Sequence, residues 1–111
     1  MYLELDQTVW GNGDYTDSDD YAFTGTVYSD SNFDTAFNLT GFTLRIKLYS
    51  QPDETLAVDQ SVSILNGGSG RWKFKPSVNV LSSRGLYTVV LEASKTGTTL
   101  QSINRQELVI R

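Results

Sequence analysis

The sequence predicts an all-β protein, a single domain over residues 1–111 folded as an antiparallel sandwich of seven to eight strands. The first observation is the stretch from Phe42 to Tyr49, where apolar and polar side chains alternate as on a half-buried strand. The second is that turn sequences rich in Gly, Asn, Asp and Pro separate such stretches. The third is that no stretch keeps helical periodicity. Short strands with frequent turns are typical of a β-sandwich.

Two strands are expected before this central strand. Residues Tyr2 to Trp10 alternate and predict the first strand. Gly11 to Asp20 contains two glycines and many Asp and Ser residues, and therefore predicts a polar loop. Tyr21 to Tyr28 predicts the second strand, with Gly25 as a bulge or a point of close approach. A second polar connection, Ser29 to Thr40, leads into the central strand.

A hairpin is expected after the central strand. Pro52 ends that strand because proline cannot donate to a ladder. Leu56 to Leu65 again alternates, and the sequence Asn-Gly-Gly-Ser-Gly at 66–70 is the strongest turn signal in the chain. It joins this segment to Arg71 to Lys75 as a hairpin.

Three further strands complete the predicted sheet. Ser77 to Arg84 reads as a short crossover and Gly85 to Ala93 as a core strand, while Thr98 to Ser102 and Gln106 to Arg111 close the sheet. The inward parity of all these strands predicts the core. Its members are Phe42, Leu44, Ile46, Leu48, Val62, Ile64, Trp72, Phe74, Tyr87, Val89, Leu91, Leu108 and Ile110.

Composition argues against catalysis. The chain has no cysteine and no histidine, which removes thiolate chemistry, the commonest general base and the commonest transition-metal ligand. No serine stands in a nucleophile-elbow pattern. We therefore expect a protein that is not an enzyme and uses no cofactor.

The N-terminal sequence and the hydropathy predict neither export nor membrane insertion. Residues Met1 to Asp6 are acidic and alternating, unlike the basic start and apolar run of a signal peptide. No apolar stretch approaches the roughly 20 residues of a membrane helix. We expect no export signal and no membrane partner.

Charge is divided unevenly along the chain. Up to Leu44 there are eight acidic residues and no Lys or Arg, whereas nine basic and five acidic residues follow from Arg45 onward. The overall acidity predicts no nucleic-acid partner, since phosphate binding needs a concentrated basic surface. Either the strands interleave and mix these charges, or the fold carries two patches of opposite sign that suit packing between copies.

The basic residues of the second part share the polar parity of their strands. They would form a basic stripe if these strands lie in one sheet, and Tyr49 lies beside them. The predicted interaction surface is Arg45, Lys47, Arg71, Lys73, Lys75 and Tyr49. Outward apolar side chains, Tyr49, Leu86 and Val90, are expected to supply a part of the association that salt does not screen.

The acidic loops raise a calcium hypothesis. Calcium binds six to eight oxygens, which Asp-rich loops supply. The weak candidates are Asp14, Asp17, Asp19 and Asp20. Asp30 to Asp34 has the first spacings of an EF-hand loop, but Thr35 and Gly41 stand where that loop needs Gly and Glu. Solvated turns explain both loops, and we expect no metal.

Aromatic residues raise a second alternative, a carbohydrate-binding module. Exposed rings on a sandwich face stack on sugars, whereas buried rings belong to the core. The candidates for stacking are Trp10, Tyr15 and Tyr21, with Tyr28 and Trp72 as further aromatic residues.

Three patches of sequence resemble a known family. Asn38 to Lys47 runs from a Leu-Thr-Gly turn into a strand, and Gly70 to Pro76 follows a glycine turn. Arg84 to Ala93 contains Gly-Leu-Tyr and precedes a turn at Gly97 and a closing strand, Glu107 to Ile110. This order resembles the N-terminal immunoglobulin-like domain of phage baseplate upper proteins.

The resemblance covers most of residues 21–111 and implies an immunoglobulin-like β-sandwich. It further implies a virion structural protein of a phage tail or baseplate, made in the host cytoplasm. Its partners would be other virion structural proteins or copies of itself. It implies no catalytic residues. A carbohydrate-binding module for host or glycan recognition remains the alternative.

Overall fold

A computed structural model describes residues 1–10, 23–74 and 84–110, and these residues form strands and turns without a helix. The described strands are β1 (Tyr2–Leu5), β2 (Val9–Trp10), β3 (Phe23–Tyr28), β4 (Thr43–Ser50), β5 (Thr55–Asn66), β6 (Arg71–Phe74), β7 (Gly85–Lys95), β8 (Thr98–Gln101) and β9 (Gln106–Ile110). The all-β prediction is confirmed. Within the described ranges there is accordingly no helix of the length and apolarity that crossing a membrane requires.

The strands form one curled sheet in the order β1-β3-β6-β5-β4-β7-β9-β2, with β8 also paired to β7. The pairs are antiparallel except β2–β9, which is parallel. β1 and β2 lie at opposite ends of this order, yet only residues 6–8 separate them in the chain. The sheet must therefore curl until its two ends meet.

The predicted single strand from Tyr2 to Trp10 is wrong, because it is two strands at opposite ends of the sheet. Asp6 ends β1, and its backbone N–H donates to the carbonyl of Thr24 at 3.0 Å. The carbonyl of Thr8 instead accepts from the N–H of Val109 at 2.8 Å. Residues 6–8 thus carry the chain from β3 across to β9.

A side-chain amide closes the seam between the ends of the sheet. The Asn104 Oδ1 accepts from the backbone N–H of Leu3 at 2.7 Å, and the Asn104 Nδ2 donates to the carbonyl of Leu3 at 2.8 Å. The N–H of Ile103 donates to the carbonyl of Met1 at 2.9 Å. The connection between β8 and β9 therefore takes the place of a neighbouring strand along the outer edge of β1, where unpaired backbone groups invite association.

The concave side of the sheet holds the core. Eleven of the predicted core residues are buried, and the other two, Phe42 and Ile64, pack partly buried against them. Further buried apolar residues are Leu3, Phe23, Val27, Leu39, Val58 and Ala93. Side chains from both ends of the strand order, such as Leu3 and Leu108, belong to one cluster, which is the main source of stability for a sheet of this size.

Gly25 is a point of close approach, as predicted. A Cβ atom at this position would lie 2.5 Å from Cζ2 of Trp72 and 2.7 Å from the carbonyl of Glu4. The pairing of β3 with β1 and β6 continues without a shift through Gly25, so there is no bulge. The missing side chain makes room for the fully buried indole ring of Trp72.

A bulge in β5 changes which face one side chain takes. Leu48 pairs with Val58 and Tyr49 pairs with Leu56, so Ala57 is an extra residue. The extra residue places Leu56 on the outer face beside Tyr49, with 48% of its surface exposed. Strict alternation from Leu56 onward would have placed it inside.

Candidate functional site

The central basic residues of the predicted interaction surface lie on the outer face of the sheet, already paired with carboxylates. The Nε of Arg45 lies 2.8 Å from the Oδ1 of Asp59 on β5. The Nζ of Lys47 lies 3.5 Å from the Oε2 of Glu92 on β7. These are cross-strand pairs of opposite charge, which stabilise a sheet modestly and neutralise its surface.

Arg71 forms the most extensive polar network on the outer face. Its two terminal nitrogens donate to the two carboxylate oxygens of Asp6 at 2.9 and 2.7 Å, and Nη1 also donates to the hydroxyl of Thr26 at 2.8 Å. The Thr24 hydroxyl donates to the Asp6 carboxylate at 2.5 Å. The hydrogen bonds from Arg71 hold the pKa of Asp6 below its usual value, and those to Asp6 raise the pKa of Arg71.

The structure brings these basic residues to one side of the sheet. Ser61 and Ser63 share the outer face of β5, and they pair with Arg45 and Lys73. Lys73 has no ion pair among the described residues, and Lys75 lies outside them. The described basic residues of the predicted surface therefore share the outer face, and all of them except Lys73 are paired with carboxylates within the chain.

Two of the three carbohydrate-stacking candidates lie outside the described residues. These two are Tyr15 and Tyr21, whereas Trp10 is placed by its backbone pairing with Ile110. The ring of Tyr28 contacts that of Phe33 in a tilted arrangement, with a centroid distance of 5.1 Å and an interplanar angle of 38°. Trp72 is fully buried and belongs to the core.

The calcium candidates are similarly placed. The four aspartates from Asp14 to Asp20 lie outside the described residues. Asp30 accepts hydrogen bonds from the backbone N–H groups of Asp34 and Thr35 at 3.1 and 2.9 Å, so its carboxylate holds a turn. In the ranges 1–10, 23–74 and 84–110, no group of three acidic side chains lies close enough together to hold a metal ion.

Sequence reasoning missed a cavity on the outer face. It has a volume of about 400 Å³ and lies between the turn at residues 51–54 and strands β7 and β9. It is lined by Gln51, Pro52, Glu54, Leu86, Thr88, Arg105 and Glu107. Leu86, Thr88 and Glu107 project from the outer face of the sheet, while the turn forms the opposite wall.

Two hydrogen bonds from Gln51 hold the turn against the sheet. Its backbone N–H donates to the carbonyl of Leu86 at 2.9 Å, which extends the pairing of β4 with β7 beyond Ser50. Its Nε2 donates to the Thr88 hydroxyl at 2.7 Å. Thr88 is consequently buried although it lies on the outer face. The turn that forms one wall of the cavity is thus held by hydrogen bonds to the β7 residues at the base of the cavity.

The charges around the cavity do not balance. The Nη1 of Arg105 lies 2.7 Å from the Oε1 of Glu54, and this hydrogen bond, more than the one from Gln51, lowers the pKa of Glu54. Glu54 is therefore ionised at neutral pH. Glu107 has no cationic partner within ion-pair distance in the part of the chain that the structure describes. The lining thus contains two carboxylates and one guanidinium, and the guanidinium is paired with Glu54.

An apolar row adjoins the cavity. Val9, Val109 and Leu86 are neighbours in the register of β2, β9 and β7, and their side chains point outward. Val9 and Leu86 are 38% and 37% exposed. Leu86 belongs both to this row and to the cavity lining, so the two features form one surface.

Only part of this surface was visible in the sequence. Leu86 was predicted from its parity as an outward apolar residue, and the structure places it there. The signal for the other lining residues was weak in the sequence, because the cavity brings the turn at 51–54 together with residues about 50 positions later in the chain. No protein-family model matches this chain, and no curated protein is significantly similar to it. Its site must therefore be argued from its own residues.

Proposed function

We propose that this chain is a non-catalytic structural module that packs against other proteins through the outer face of β7, β9 and β2. The observation that carries the proposal is the apolar row of Val9, Val109 and Leu86 beside the cavity. Contiguous exposed apolar side chains rimmed by polar groups are typical of protein interaction sites.

The charges of the central outer face support packing through apolar contact. Arg45 and Lys47 are each held by a carboxylate of a neighbouring strand. A partner would gain little from charges that are already paired and would have to desolvate them. Those side chains are suited to the polar rim of an interface, whereas Leu86 and Val109 are suited to its centre.

For the fold we propose an immunoglobulin-like sandwich as the arrangement of the curled sheet. β5 pairs with β4 over most of its length and with β6 over its last residues, so it passes from one half of the sheet to the other. The N-terminal segment likewise divides between the two ends through β1 and β2. Strands that change sheets in this way let two halves face each other across one core.

The assignment to a phage particle rests on the sequence motifs that resemble the phage baseplate family. The first of these motifs, Asn38 to Lys47, begins with a turn before β4. In this turn the N–H of Thr40 donates to the Asn38 side chain at 3.0 Å, and Leu39 is buried. We assign the module to a tail or baseplate, where its partners are other virion structural proteins or copies of itself.

The test is binding to the products of neighbouring genes, purified and mixed with this chain. The variant is Leu86→Lys, which places a charge in the middle of the apolar row. We expect a loss of affinity of tenfold or more, measured by calorimetry, as burial of one unpaired charge in an interface costs at least about 1.4 kcal/mol. Thermal melting checks that the variant is folded.

The matched control is Leu65→Lys. Leu65 is also an exposed leucine, 53% accessible, but it lies at the register shift between β5 and β6. Its substitution should leave binding unchanged. Equal effects of the two substitutions, or none from Leu86→Lys, would show that the apolar row is not the interface.

A further inference from the structure

We infer that the cavity beside the apolar row receives a cationic side chain, Lys or Arg, from the protein partner. The apolar neighbours of that side chain in the partner would lie on Leu86 and Val109. This inference rests on the proposed function, because it names the chemistry of the partner that the packing face recognises. The juxtaposition that carries it is an unpaired carboxylate, Glu107, at an open surface pocket next to exposed apolar side chains.

Charge complementarity selects a cation. Glu54 and Glu107 line the cavity with Arg105, and the guanidinium of Arg105 is committed to Glu54 at 2.7 Å. The lining of the cavity therefore has a net negative charge. Glu107 has no ion-pair partner among the described side chains. An anionic side chain would meet the unpaired carboxylate of Glu107, and like charges brought together at an interface suppress binding. A cation is attracted by Glu107, because the charge of Glu54 is already balanced by Arg105.

The other polar groups of the lining leave little for a neutral ligand to bind. The Nε2 of Gln51 donates to the hydroxyl of Thr88, and its side chain also hydrogen-bonds Glu54. These three groups satisfy one another and fix the turn. The carboxylate of Glu107, in contrast, has no ion pair with any described residue. A ligand that supplies charged N–H donors therefore matches the site better than a neutral hydroxyl or amide.

The apolar part of the lining fits the stem of a long basic side chain. Lys and Arg lay their methylene groups on apolar surface while the charged end reaches a polar partner. Leu86 offers such a surface at the floor of the cavity, and Glu107 lies one strand away on β9. The volume of about 400 Å³ is within the range of pockets that enclose small ligands.

The experiment uses the full chain, labelled with ¹⁵N, and three short peptides: acetyl-Leu-Arg-Leu-amide and its versions with Gln and with Glu in the middle. We expect the Arg peptide to shift the backbone amides of residues 51–54, 86–88 and 105–107 in a saturable manner. Glu107→Gln should weaken its binding about threefold, which lies within the range for an exposed ion pair. The Gln and Glu peptides should bind more weakly than the Arg peptide.

Asp53→Asn is the matched control. Asp53 is an exposed carboxylate in the same turn but does not line the cavity. Its substitution by Asn therefore removes one negative charge without changing the cavity lining. Its titration should equal that of the unchanged chain. Equal binding of the three peptides, shifts spread over other surfaces, no shift with the Arg peptide, or equal effects of the two substitutions would overturn the inference.

The failure of this inference can be told from the failure of the proposed function. If the neighbouring gene products bind, lose affinity with Leu86→Lys and keep it with Glu107→Gln, packing stands and the cation site is wrong. If neither substitution changes that binding, the face itself is wrong.

Discussion

Two ionic clusters on the outer surface of this sheet use the same groups but differ in completeness. The N-terminal clamp consists of Asp6, Thr24, Thr26 and Arg71. The cavity cluster consists of Glu54, Arg105 and Glu107. Each has an Arg–carboxylate pair with a shortest distance of 2.7 Å. In the clamp every charged group has its partner, whereas in the cavity cluster one carboxylate has none.

The difference separates a structural role from a binding role. The clamp connects the end of β1 with β3 and β6, and its two hydroxyl groups complete the coordination of the ion pair. It leaves nothing for a ligand. The cavity cluster holds a turn with one of its carboxylates and leaves the other at an open surface pocket. Identical chemistry can therefore serve the fold in one place and a partner in the other.

The largest expected effect comes from the core on which both clusters rest. Leu91 is fully buried on β7, opposite Ile46 of β4. Leu91→Ala should lower the free energy of unfolding by about 2–5 kcal/mol because it removes buried methyl groups and leaves a cavity. Urea unfolding followed by tryptophan fluorescence measures it.

Val90→Ala is the control for Leu91→Ala. Val90 is the next residue on the same strand, points outward and is half-buried. Its truncation should cost well under half as much. Similar losses from both variants would mean that the assignment of inner and outer faces on β7 is wrong.

The second effect concerns the seam that Asn104 closes between the two ends of the sheet. Asn104→Ala removes both hydrogen bonds to the backbone of Leu3. We expect a loss of about 1–3 kcal/mol, since the partly buried N–H and carbonyl of Leu3 would be left without partners. Hydrogen exchange should show faster exchange at the Leu3 amide, before global unfolding.

Gln101→Ala is the matched loss of an exposed amide. Gln101 on β8 donates to Glu92 at 3.2 Å on the surface. Its truncation should change stability by less than about 0.5 kcal/mol. If Leu3 exchanges at the same rate in Asn104→Ala as in the unchanged chain, the seam is held by other contacts.

Periodicity predicted the centre of this fold well. Along β4 and β7 a central strand alternates because one face is buried against many neighbours, and burial of Leu44, Ile46 and Leu91 follows that alternation. It also predicted that Leu86 faces outward. Such positions are decided by local pattern, since a shift of one residue would turn the whole apolar set to solvent.

Periodicity failed where residues distant in sequence decide the structure. The first strand divides at Asp6, whose side chain binds Arg71, 65 residues away, and β2 then pairs with β9 instead of β3. Leu56 faces outward because of a bulge at Ala57, and an extra residue leaves no mark in composition. The cavity requires Glu54 and Arg105, 51 residues apart, to meet. No local spacing signals such a pair.

The third effect tests the clamp by pH. The pKa of Asp6 is lowered in the folded chain, chiefly by Arg71, from an ordinary value of 3.8. The ion pair therefore stabilises the fold above that pH, and the stabilisation is lost as the pH falls below 3.8 through the folded pKa. Asp6→Asn should cost about 1 kcal/mol or less at pH 7, because the carboxylate is partly exposed and screened by water.

The pH dependence should distinguish Asp6 from Glu54. The cost of Asp6→Asn should shrink toward zero when unfolding is measured well below pH 3.8, since the parent then loses the same charge. Glu54→Gln serves for comparison, because the pKa of Glu54 is lowered by a more exposed pair with Arg105. Its effect should be smaller at neutral pH. A constant cost of Asp6→Asn at every pH would show that the charge of Asp6 is not what stabilises the clamp.

The smallest expected effect is the one that most sharply separates the two clusters. Glu107→Gln should leave the free energy of unfolding within about 0.5 kcal/mol of the parent at pH 7, because no ion pair is lost. Urea unfolding at neutral pH, beside Asp6→Asn under identical conditions, measures the difference. If Glu107→Gln destabilises the chain as much as Asp6→Asn does, the carboxylate of Glu107 serves the fold, and the two clusters have the same role.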